Sequence, residues 1–76
     1  MQTMKPELFH GILDAIDIAS SYFQTKIKLR VGCAIETDNL DERHQYIREA
    51  QQFKAWQQEL VDLKKEFTDT YTPIEE

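Results

Sequence analysis

The stretch Phe53-Lys54-Ala55-Trp56-Gln57-Gln58-Glu59-Leu60-Val61-Asp62-Leu63-Lys64-Lys65-Glu66-Phe67 decides the fold. Its large apolar residues stand at 53, 56, 60, 63 and 67, alternating steps of three and four, which is the heptad spacing of a seam along one side of an α-helix. Tyr46 extends the line one heptad before Phe53. No Gly or Pro interrupts the chain between Leu40 and Phe67, so the pattern predicts one helix over 40–67, about 42 Å long at about 1.5 Å per residue. A second line, Leu40, Ile47 and Val61, lies on a neighbouring face and is interrupted at Lys54. The resulting apolar arc is wider than a short first helix can cover. Leu40, Ile47, Phe53, Trp56, Leu60, Val61, Leu63 and Phe67 are therefore the expected core and partner surface, with one line packing in the chain and the other against a second subunit.

Upstream, Asn39 is placed to cap this helix, with Glu42 three residues on to answer it. Lys5-Pro6-Glu7 puts a proline and an acid where a first helical turn accepts them. From there Leu8, Ile12, Ala15, Ile16, Ala19 and Phe23 recur at helical spacing, which predicts a helix over 6–24. Gly11 inside it costs about 1 kcal/mol relative to Ala and suggests a close approach of another backbone.

Residues 26–36 read two ways. Ile27, Leu29, Val31, Cys33 and Ile35 alternate with Lys26, Lys28, Arg30, Gly32 and Ala34, a strand signature. A first helix continued unchanged would carry Lys26 and Arg30 into its apolar stripe, so a break near 20–25 followed by more helix is preferred. The expected fold is all-α: an antiparallel helical hairpin or a three-helix arrangement, dimeric, with 1–4 and 69–76 as frayed tails. The alternative is α+β, with a single strand at 26–35 paired across a dimer.

The 76 residues suit a single domain. A chain this small buries only about 60 per cent of its unfolded surface. One cysteine, Cys33, precludes an internal disulfide, and two histidines without a second thiol do not make the usual structural zinc site. Self-association is the remaining way to enlarge the core. The net charge is −5, and the imbalance is concentrated late: residues 1–38 hold four basic and five acidic side chains, residues 39–76 five and nine. That balance disfavours nucleic acid as a partner. With no apolar run of membrane-spanning length and no signal-peptide pattern at the start, the expectation is a cytoplasmic protein without a membrane partner.

Candidate chemistry is sparse, and neither a cofactor nor an enzymatic activity is expected. His10 and Asp14 are four apart, as an oriented acid and base would be, yet no Ser or Cys stands with them as nucleophile. His44 between Arg43 and Gln45 reads as solvated, and Asp38 to Glu42 as caps and first-turn acids rather than a calcium loop. Cys33 among Val31, Gly32, Ala34 and Ile35 reads as a buried small hydrophobe.

Three functions follow as expectations. The first is a non-enzymatic helical protein–protein interaction module, homodimeric. The second is an acidic inhibitor imitating nucleic-acid charge through Asp41, Glu42, Glu49, Glu59, Asp62, Glu66 and Asp69. The third is a small dimeric nucleic-acid-binding regulator using Lys26, Lys28 and Arg30, which share one face only if they lie on a strand. Ala55-Trp56 followed by Leu60, and later Pro73-Ile74-Glu75, faintly resembles the ends of some bacteriophage tail-fibre assembly proteins over about a quarter of the chain. Gln57, Gln58 and Glu59 stand where basic residues usually follow that Trp, so the likeness does not amount to membership; carriage by a phage or mobile element is expected instead from a compact, acidic, motif-poor chain of this size.

If the seam is correctly placed, Phe53→Asp buries an unpaired charge and abolishes the cooperative thermal transition in circular dichroism, whereas Glu59→Lys leaves it nearly unchanged. Equal effects would mean that the seam is misplaced.

Overall fold

Pro6 stands at the first helical position, where its missing N–H is not needed, and Glu7 adds negative charge to the first turn. The helix begun here does not stop at Gln24. In the computed structural model, which describes residues 1–75, α1 runs unbroken over Pro6–Glu36 and α2 over Leu40–Thr70, each of 31 residues. The two lie side by side as a hairpin. Two short strands, β1 (Gln2–Met4) and β2 (Tyr71–Pro73), flank them in the order β1-α1-α2-β2. The hairpin alternative of the sequence reading is therefore the fold. There is no third helix among the described residues, no break near 20–25, and no strand at 26–35.

The reason 26–35 is helical lies in how the two cations are held. Arg30 reaches into the interhelical seam, its guanidinium 5.9 Å from the centre of the Phe53 ring and its Nε 2.7 Å from Oε2 of Glu49. That contact is off the N–H direction, an ion contact rather than an aligned hydrogen bond. Lys26 lies over the ring of Tyr22, its Nζ 5.3 Å from the centroid. Both side chains are half-buried, and their charged heads find an aromatic face or a carboxylate. Cations in the stripe thus do not end the helix, and Ala34 beyond them is buried.

Register is set by stacked rings. Phe9 stacks on Phe67 with centroids 5.2 Å apart; fourteen residues further along α1 and fourteen back along α2, Phe23 meets Phe53 at 6.0 Å. Two pairs separated by two heptads on each strand of the hairpin leave no room for a slip. The turn between them is Thr37 to Asn39. Asn39 Oδ1 accepts from the backbone N–H groups of Asp41 (2.9 Å) and Glu42 (3.2 Å), as the capping pattern predicts. The reciprocal half of the box differs. The Asn39 N–H donates to Thr37 Oγ1, whose hydroxyl donates to Glu42 Oε2 at 2.9 Å, so Thr37 relays the bond that Glu42 was expected to make itself. Arg43 closes the turn, its Nη2 donating to the Thr37 carbonyl at 2.8 Å and its Nε to that of Ala34 at 3.1 Å.

Of the residues at 1–4 and 69–76, expected to fray, 2–4 and 69–74 are engaged. Thr68 to Thr70 complete the last turn of α2, and β1 pairs with β2 in parallel, Thr3 opposite Thr72, with the Ile74 N–H donating to the Met4 carbonyl at 2.9 Å. A parallel pair needs a long crossover, and the whole helical hairpin supplies it. Glu76 lies outside the described residues.

The resulting layer measures 59 × 17 × 10 Å, with a radius of gyration of 17.2 Å. An ordinary compact fold of this length has about 11 Å. Only Phe9, Ile16, Ala34 and Ala50 are buried among the described residues. With so few buried side chains, the turn carries a large share of the fold's definition. Asn39→Ala is expected to cost about 1 kcal/mol, read as a lower urea midpoint at unchanged slope.

Candidate functional site

Two side-by-side helices have two broad faces, and the side chains divide unequally between them. On α2 the residues turned toward α1 are Tyr46, Ala50, Phe53, Gln57, Leu60, Lys64 and Phe67, all half-buried or buried. This in-chain line is itself a heptad pattern, but Gln57 and Lys64 interrupt its apolar character. Gln57 Nε2 donates to the Ser20 carbonyl at 3.2 Å and to Gln24 Oε1 at 3.1 Å, while Lys64 Nζ sits 2.9 Å from Asp17 Oδ1. The fully apolar line 53, 56, 60, 63, 67 is centred roughly 50° away around the helix, at about 100° per residue. Trp56 and Leu63 therefore flank the seam and remain largely exposed.

α1 behaves in the same way. In its apolar line Ile16 and Phe23 face the in-chain contact, while Leu8, Ile12, Ala15 and Ala19 spread from it toward the same face. The two displaced stripes meet in a groove of about 260 Å³ lined by Ile12, Ala15, Ile16, Ala19, Leu60, Leu63 and Phe67, without one polar side chain. Toward the turn the same face becomes aromatic and then charged: Phe23 stands 5.9 Å from Trp56, and beyond them lie Arg30 and Glu49. Gly11, expected to mark a close backbone approach, has none within its own chain, since a Cβ there would meet nothing within 4 Å.

The opposite face carries the other predicted line. Leu40, Ile47 and Val61 are 60, 40 and 53 per cent exposed. Near the turn, Ile47 joins Val31, Ala34, Ile35 and Arg43 around a second hollow of about 370 Å³. Between that hollow and the open end this face is mostly polar, with Asp17, Ser20, Gln24, Lys54, Gln57 and Lys64 around the exposed Val61. Of the eight predicted interface residues, Phe53, Leu60 and Phe67 thus belong to the in-chain seam, Trp56 and Leu63 to the groove face, and Leu40, Ile47 and Val61 to the reverse side. Ala15, Ala19 and Tyr22 were absent from that set. Their signal was readable: with Leu8, Ile12, Lys26, Leu29 and Cys33 they follow alternating steps of four and three.

The basic cluster does not form one face. On a helix Lys28 points away from Lys26 and Arg30, and Arg30 is held by Glu49, so the ribbon geometry that would have presented all three to phosphates is not present. Cys33, expected to be buried, is half-buried and carries a free thiol. Among the described residues, no group of three or more His, Cys, Asp or Glu side chains is placed to hold a metal ion, and no helix is long and apolar enough to cross a membrane. Comparison of the chain with family models, with curated proteins and with solved structures finds no match.

Because the Arg30 guanidinium lies near the Phe53 ring and its charge is only partly desolvated, Arg30→Met is expected to keep stability to within about 1 kcal/mol. Arg30→Glu sets a second carboxylate against Glu49 and lowers the urea midpoint clearly below that of both wild type and Arg30→Met.

Proposed function

We propose that this chain is a non-enzymatic protein–protein interaction module that works as a homodimer. One observation carries the reading. The hairpin exposes 5899 Å². A folded monomer of 9.0 kDa exposes about 4,900 Å². The surplus of about 1,000 Å² is close to the roughly 800 Å² that each partner contributes to a stable interface of standard size. Much of it is apolar, from Leu8, Tyr22 and Leu29 on α1 to Trp56 and Leu63 on α2. A layer about one helix thick buries one stripe per helix, and a partner shields the rest.

A second reading, the acidic inhibitor, draws on α2's outer ridge. Glu59, Asp62, Glu66 and Asp69 follow one another there at steps of three, four and three, all exposed. Such a line repels other acidic surfaces and attracts a basic groove. Salt separates the two readings. Apolar docking is little changed between low and high ionic strength, whereas a charge-carried complex weakens steeply.

Light scattering over a dilution series, with circular dichroism on the same samples, tests the proposal. The expected result is a mass of twice the 9.0 kDa chain, with helical signal falling as the dimer dissociates. A single 9.0 kDa species of undiminished helicity at every concentration would overturn the homodimer.

A further inference from the structure

We infer that the second copy covers the groove face, and that the two-fold axis runs parallel to the helices, so that the two turns lie at the same end of a four-helix bundle. This rests on the homodimeric reading above and adds which face is used and in which orientation.

The choice of face follows from where the apolar stripes point. On both helices the most apolar line straddles the in-chain contact and is centred to its groove side, where the hollow lined by Ile12, Ala15, Leu60 and Leu63 carries no polar side chain. The reverse side is apolar near the turn; beyond it Val61 stands exposed among the polar Asp17, Gln24, Lys54 and Lys64. Size agrees: a face of 59 by 17 Å offers about 1,000 Å², matching the surplus exposure and exceeding the roughly 800 Å² a standard interface needs. A helix in a four-helix bundle also needs two adjacent seams, one for each neighbour. On α1 the in-chain seam through Phe9, Ile16, Phe23 and Ala34 lies beside a second one through Leu8, Ile12, Ala15, Ala19, Tyr22 and Leu29.

Orientation follows from the gradient along the face. The open half is the groove, and the turn half carries Lys26, Arg30 and Glu49. A two-fold axis perpendicular to the helices would lay the charged half of each copy on the apolar half of the other and desolvate ions against hydrocarbon. An axis parallel to the helices sets groove on groove. It also brings α1 of one copy over α2 of the other, so that the Lys26 and Arg30 half of one faces the Glu49 half of its mate.

The test uses the full chain with three substitutions at exposed positions, Ala15→Glu and Tyr22→Glu on the groove face and Leu40→Glu on the reverse; Ala15→Glu carries the test where Tyr22→Glu, which also removes the ring under Lys26, lowers helicity at concentrations where the wild type is dimeric. Dimer dissociation constants come from sedimentation equilibrium, and helicity from circular dichroism. The expected result is a rise of at least about a hundredfold for Ala15→Glu and Tyr22→Glu, and less than about threefold for Leu40→Glu. A rise for Leu40→Glu with none for the other two overturns the face while leaving the homodimer standing. A wild-type chain that is monomeric throughout overturns the second copy altogether. For orientation, a spin label at Asp38→Cys in a Cys33→Ser background reads the separation of the two turns. A distance well under the roughly 46 Å length of α1 is expected, whereas a separation of that length or more overturns the parallel axis.

Discussion

Two helices laid against each other can shield one stripe apiece, and every other property of this molecule answers to that limit. The shielded stripe is fixed by stacked rings two heptads apart, Phe9 on Phe67 and Phe23 on Phe53. Those contacts set the register, the turn falls where the register requires it, and the chain ends are brought together at the far side. What the stripe cannot hold is left on two broad faces. A layer 10 Å thick has no interior in the usual sense, so the hairpin buries little of its apolar surface.

The in-chain seam is more polar than its neighbours. Gln57, Lys64 and Arg30 sit where a single hairpin would gain most from leucine, and each is provided for: Gln57 by Ser20 and Gln24, Lys64 by Asp17, Arg30 by Phe53 and Glu49. Such bonds contribute little to stability at half-exposed positions, but they resist wrong registers, because a slip leaves a donor or charge without its mate. The hydrocarbon is concentrated on the groove side instead. This division assigns alignment to the seam and leaves most of the exposed hydrocarbon on the groove side.

Helix content and the hairpin were legible because heptad spacing over 53–67 and Asn39 as a cap are local signals. The continuity of α1 through 26–35 was not. Alternation of Ile27, Leu29, Val31, Cys33 and Ile35 imitates a strand, and what overrules it is the long-range placement of Arg30 on Phe53 and Glu49. No window of sequence contains that pairing. The seam of α2 was read about 50° off, since the most apolar line was taken for the most buried one. The difference between those two lines is the apolar surface that the hairpin leaves uncovered. Pairing of residues 2–4 with 71–73 had no local signal, because it depends on two helices of equal length returning the chain to its start.

That last pairing has a mechanical meaning. β1 and β2 run in the same direction, so residue 1 leaves one end of the ribbon and the chain beyond Pro73 leaves the other. Tension applied across the two ends of the chain therefore pulls along the strands and loads their hydrogen bonds together in shear, rather than peeling them one at a time. The clasp holds as a unit until it fails, and the hairpin behind it carries no load before then.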